Sequence, residues 1–162
     1  MRTAAHRAAT LLALAVLAYV SAESAASAPA SAGAAAQKAA RKVVNLTNAQ
    51  RIRAGCPRVT ISAALSRAAR AHSREMAARR RMSHVGANGR DFVARARAQG
   101  YRYSMGENIA YGFRSPRGVV RAWTRSPGHR RNLLNCQARK IGVGVARSAK
   151  GVRYWTQVFG SR

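Results

Sequence analysis

Glu107-Asn108-Ile109-Ala110-Tyr111-Gly112-Phe113 is where the hydrophobic pattern of this 162-residue chain changes period. Read as a strand, it sets Glu107, Ile109, Tyr111 and Phe113 on one side and Asn108, Ala110 and Gly112 on the other. Upstream the period is helical. From Ser62 to about Arg81 the residues Leu65, Ala69, His72 and Met76 recur at helical spacing, while Arg67, Arg70 and Arg74 fall elsewhere around the wheel. Asn88-Gly89 makes a turn before Asp91 to Gln99, where Phe92, Val93 and Ala96 give a further helix that Gly100 ends. Earlier still, Asn45 to Ala54 carries Leu46 and Ile52 and stops at Gly55-Cys56-Pro57, which predicts a short helix.

Downstream of the strand, Ser115-Pro116 is a helix start, with Val119, Val120 and Trp123 turned inward and Arg117, Arg121 and Arg125 forming an outward stripe. Ser126-Pro127 repeats the signal, so a second helix runs to about Asn135 with His129 in its first turn. Ile141 to Ala146 and Val152 to Phe159 flank a Ser-Ala-Lys-Gly turn and form a hairpin. Gly142 and Gly144, at alternate positions of its first strand, predict that another backbone or a packed helix approaches closely there. Helices first, then strands mixed with helices and a closing antiparallel hairpin, indicate an α+β layered domain rather than a doubly wound parallel sheet.

The ends of the chain read differently. Residues 1–22 have the anatomy of a secretory signal peptide, with Arg2 and Arg7, an apolar run from Ala8 to Val20 and a small-residue exit; cleavage is expected after residue 22 or after residue 28. An uncleaved helix embedded in lipid is the other reading of that run. Residues 23–43, Ala/Ser-rich through Ala40, read as a linker, and the folded domain is expected over residues 44–162. In an exported chain Cys56 and Cys136 are most simply a disulfide closing a loop of about 80 residues, worth roughly 4 kcal/mol in the chain-entropy model. Two buried free thiols are the alternative.

Thirty Lys and Arg stand against four acidic residues, Glu23, Glu75, Asp91 and Glu107, for a formal charge of +26. So few carboxylates exclude calcium or magnesium cages, and two cysteines exclude thiolate metal sites. Aromatic residues, 6% of the chain, are too few to tile a stacking surface for single-stranded nucleic acid. A mainly arginine field attracts polyanions, above all phosphates. No nucleophile motif is present. His72 and Glu75 read as part of a core-edge helix face rather than a second metal site, and Asp91 as a side chain complementing its helix dipole.

Several segments together resemble the CAP superfamily, the cysteine-rich secretory, antigen-5 and pathogenesis-related-1 proteins, in its secreted bacterial form. They are Ala71-His72-Ser73, Met82-Ser83-His84, Gly106-Glu107-Asn108-Ile109-Ala110, Trp123 with Ser126-Pro127-Gly128-His129-Arg130 and Asn132, and Tyr154-Trp155-Thr156-Gln157-Val158-Phe159-Gly160. The resemblance implies a three-layer α-β-α sandwich with a central, mainly antiparallel sheet. It also implies a cleft of two His and one or two acids, able in some members to hold zinc or another divalent cation. His84, Glu107 and His129 fall on three of those positions. The stretch where the family carries a second glutamate reads Thr124-Arg125-Ser126, without an acid.

Two readings of the three residues stay open, a His₂Glu metal site and a polar knot in which Glu107 accepts hydrogen bonds and locks strand to helices. The function expected is a secreted or cell-envelope binding module, a monomer, for an anionic envelope polymer, lipid or extracellular partner, with peripheral wall or membrane association. A zinc-assisted hydrolase and a nucleic-acid-binding basic protein are the alternatives; no specific nucleic acid is expected, because a regulator inside the cell needs no export signal. Arg117, Arg121 and Arg125 are the expected anion-binding surface.

Overall fold

In the computed structural model, residues 27–162 are described, and the leader expected over residues 1–22 lies outside them. The first element, α1 (Ser27–Arg53), is longer than the sequence reading allowed. From Ser27 on, the stretch taken for a linker is continuous with the helix expected from Asn45, and the physical reason is its alanine content. Alanine is the strongest helix former, and extending an existing helix avoids the cost of nucleating a new one. Ala39 and Ala40 pack against the main core, and Val43 and Val44 are buried in it.

The sheet has the order β1-β3-β4-β2, from β1 (Thr60–Ile61), β2 (Ser104–Tyr111), β3 (Lys140–Arg147) and β4 (Arg153–Gly160). Pairing is antiparallel except between β1 and β3. The two-residue β1 is too short to carry a period and is not visible in the sequence. One face of the sheet is covered by α2 (Ala63–Arg79) and α3 (Phe92–Ala98), the other by α1, α4 (Pro116–Arg125) and α5 (Pro127–Leu133). This is the three-layer sandwich expected.

Three of the helices start on side-chain caps. Ser62, Asp91 and Ser115 accept hydrogen bonds from Leu65 N, Ala94 N and Gly118 N at the heads of α2, α3 and α4. The β4 strand divides the core by alternation: Trp155 and Phe159 face α1, α4 and α5, while Tyr154 and Val158 face α2 and α3. Both indoles are satisfied, Trp123 Nε1 by Ile109 O and Trp155 Nε1 by Phe113 O.

The glycines of β3 meet the expectation drawn from them. A Cβ on Gly142 would lie 2.1 Å from the Leu65 carbonyl carbon, and one on Gly144 would lie 2.3 Å from Ala69 O. The backbone of α2 therefore rests directly on the strand.

Cys56 and Cys136 form a disulfide between the segment after α1 and the segment after α5. Beside it Arg51 is fully buried, donating to the carbonyls of Pro57, Leu133 and Asn135 at 2.9 Å and of Ala138 at 3.0 Å. Burial, with Arg139 nearby, pushes its pKa down. Four carbonyl dipoles replace the water it loses and tie α1 to the end of α5.

Candidate functional site

The site forms at β2, an edge strand reached from both helical layers. Ile109 packs with Met76 and Ala77 of α2, so by strand alternation Glu107 leaves on that same face and Asn108 on the other. The Glu107 side chain is 1% exposed, and both of its oxygens are occupied. His84 Nδ1 lies 2.9 Å from Oε1, and Arg95 Nη2 donates to Oε2 at 2.6 Å.

Arg95 had no place in the sequence reading. It projects from the second turn of α3, and its Nη1 also donates to the carbonyls of His84 at 2.8 Å and Arg90 at 2.6 Å. One guanidinium thus neutralises the buried carboxylate and fixes the loop that carries His84. In a chain with 30 Lys and Arg, nothing in the sequence sets this arginine apart from its neighbours; only its helix position, beside the buried Ala96, gave a signal.

His72 stands behind this group on α2. It is buried, and its Nε2 is 2.8 Å from the carbonyl of Ser83, the residue before His84. A carbonyl only accepts, so Nε2 carries the proton. The other nitrogen, Nδ1, has no hydrogen-bond partner and lies 3.8 Å from Glu75 Oε2. Burial first, and then the Arg95 charge, hold the His72 pKa below its ordinary value. The residue is a core-edge histidine that positions the His84 loop.

His129 comes from the opposite layer. Its Nδ1 shares a 2.9 Å hydrogen bond with Ser126 Oγ, so the hydroxyl expected to cap α5 is spent on the imidazole instead. Burial and the neighbouring His84 lower the His129 pKa, which favours neutral imidazole at neutral pH. Its side chain makes no hydrogen bond to His84 or Glu107. The link is through backbone: Asn108 Nδ2 donates to His129 O at 3.1 Å and to Gln157 Oε1 at 3.0 Å, and Gln157 Nε2 donates to Thr47 Oγ1 at 2.8 Å. Asn132 Nδ2 donates to Glu107 O and to Asn108 Oδ1, both at 3.0 Å. Gly106 leaves room for Asn132, since a Cβ there would lie 2.7 Å from its Oδ1.

The structure therefore joins His84 to Glu107, sets His129 near His84, and places Arg95 on the second oxygen of Glu107. The carboxylate is already paired with a guanidinium, and among the described residues no three His, Cys, Asp or Glu side chains stand close enough to hold a metal. Arg117, Arg121 and Arg125 are exposed along α4.

A small α-β-α sandwich with a His/Glu pair at its edge strand and a disulfide joining the segments after α1 and α5 defines a recognisable class of domain. Residues 44–159 match the model of the cysteine-rich secretory protein family, and the chain belongs to that family, also called CAP. It is 39% identical over 120 residues to the uncharacterized protein YkwD of Bacillus subtilis, a match covering 74% of this chain and 46% of YkwD. Among solved structures it resembles an extracellular protein containing an SCP domain from Bacillus anthracis, with a TM-score of 0.73 and 26% identity over 83% of this chain and 44% of that one. An outer surface protein from Borrelia burgdorferi shares the fold at a TM-score of 0.68 and 21% identity, over 75% of this chain and 91% of that one. The chain thus spans less than half the length of YkwD and of the Bacillus anthracis protein.

Proposed function

We propose that this domain is an exported binding module that holds an anionic polymer of the cell envelope, using the cleft around His84 and His129 for recognition and its arginine surface for retention. The observation that carries this reading is the state of Glu107. Its two oxygens are taken by His84 and Arg95, so the one buried acid of the cleft serves to hold the site in shape. A polar rim over a neutralised carboxylate suits the capture of a ligand without turnover.

Export is supported by the signal-like leader, by the disulfide, which persists in oxidising compartments, and by similarity to a protein described as extracellular. Among the described residues no helix is long and apolar enough to cross a membrane. Retention rests on the exposed stripe Arg117, Arg121 and Arg125, whose pull on a polyanion is screened beyond about 8 Å at physiological salt.

The test is sedimentation with isolated envelopes at low salt. Wild type is expected to co-sediment, His84→Ala to lose at least half of the bound fraction, and Arg117→Gln/Arg121→Gln/Arg125→Gln to release at lower salt. Envelope binding by His84→Ala equal to that of wild type would remove the cleft from the proposal; equal binding by the triple variant would remove the stripe.

A further inference from the structure

Arg147 on β3 stands directly across from Arg153 on β4, the last pair before the hairpin turn. Like charges opposed on neighbouring strands are destabilising, and among the described residues no acid lines their surroundings: the cavity of about 430 Å³ at the turn is lined by Arg147, Arg153, Arg114 and Lys150, together with glycines, Phe113 and Val152. Both guanidiniums are held in place by backbone. Arg147 Nη1 donates to Gly151 O at 3.2 Å, and Arg153 Nη1 donates to the carbonyl of Arg114. Arg147 also lines the two adjoining surface depressions, one with Arg70 and Arg74 and the other with Arg74 and Arg80.

We infer that this end of the hairpin is a binding site for a chain of linked phosphates, whose successive negative charges Arg147, Arg153, Arg114 and Lys150 neutralise together. Carboxylate and phosphate oxygens both match the fixed donor fork of a guanidinium, and four cations gathered at one turn suit the closely spaced charges of linked phosphates. The depression, about 430 Å³, extends past both guanidiniums to Arg114 and Lys150, so successive charges of a linked anion lie within reach of more than one cation. Burial and the Arg147 charge both depress the Arg153 pKa, so a bound anion relieves a strain that the unliganded protein carries. The site is separate from the cleft. Arg153 and Val158, the β4 partner of Glu107, are five residues apart, about 17 Å along an extended strand.

The experiment is calorimetric titration of the intact exported protein with inorganic tripolyphosphate at ~0.15 M monovalent salt, where long-range surface attraction is largely screened. Wild type is expected to bind saturably. Arg147→Gln/Arg153→Gln should weaken binding at least tenfold, whereas Arg53→Gln/Arg58→Gln, which removes the same charge from exposed positions outside both sites, should change it less than twofold. The hairpin variant should also melt about 2 °C higher, because its repulsion is gone, and that reading shows it is folded. Were it unfolded, Lys150→Gln on the exposed turn carries the test, with a threefold loss expected and an unchanged affinity overturning the site. Equal weakening by the two double variants, no saturable binding by wild type, or binding through the hairpin to anionic-lipid vesicles but not to tripolyphosphate would each overturn it. His84→Ala should leave tripolyphosphate affinity unchanged, so failure of the cleft reading and failure of this one are told apart.

Discussion

Arg95 meets Glu107 at 2.6 Å with only 10% of its own side chain exposed, whereas His84, at 2.9 Å from the same carboxylate, is 55% exposed. The two partners of one acid therefore differ in what they cost to remove. A buried charge stripped of its counterion costs about 3 kcal/mol or more, and a solvated partner about 1 kcal/mol or less. Arg95→Met is expected to lower stability by about 3 kcal/mol and His84→Ala by less than about 1 kcal/mol in urea unfolding. Equal losses would mean that the two bonds share the load and that Arg95 is not the anchor.

Zinc titrated into the chelator-treated protein is expected to give no saturable binding at one equivalent, and His129→Ala is expected to give the same isotherm as wild type. The reason is the guanidinium on Glu107, which already holds one oxygen of the one acid in the set. Binding near one equivalent that disappears in the variant would show that the cleft rearranges around a metal.

Acidification should destabilise the fold through His72 and His129. Both have pKa values below the ordinary 6.5, so the unfolded chain binds protons that the folded one does not. Their contribution is fully present above about pH 6.5 and shrinks as pH falls from there toward the folded values. Around His72 the Arg95 charge reinforces this, while Glu107, Glu75 and the Ser83 carbonyl act against it. Melting temperature is expected to fall between about pH 6.5 and 5, and His72→Gln, which keeps a donor for Ser83, should flatten that slope. A slope unchanged in His72→Gln would assign the effect elsewhere.

Much of the fold is legible along the chain because its signals are local. Serine and aspartate caps mark α2, α3 and α4, and the alternate glycines of β3 announce the helix that rests on them. The extent of α1 was not legible, because its alanine-rich run carries no pattern of large apolar residues to mark a buried face, although the helix it continues was expected from Asn45. For the same reason β1, two residues recruited by pairing with β3, leaves no trace.

The candidate site was legible in part. His84, Glu107 and His129 come from three separate segments and could be gathered only through family resemblance. What the sequence concealed was the pairing state of Glu107: its partner Arg95 is one arginine among many, and partnership is a property of distance. Arg51 was hidden likewise, since its four acceptors are backbone carbonyls, which every residue type supplies.

Gly142 and Gly144 have a reach beyond the strand they occupy. Because α2 sits backbone to backbone on β3, the height of that helix over the sheet is fixed by two missing methyl groups. His72 rides on α2 and holds Ser83, and Ser83 precedes His84. The seat of the His84 loop is thus gauged from β3, two strands away from Glu107 across the sheet.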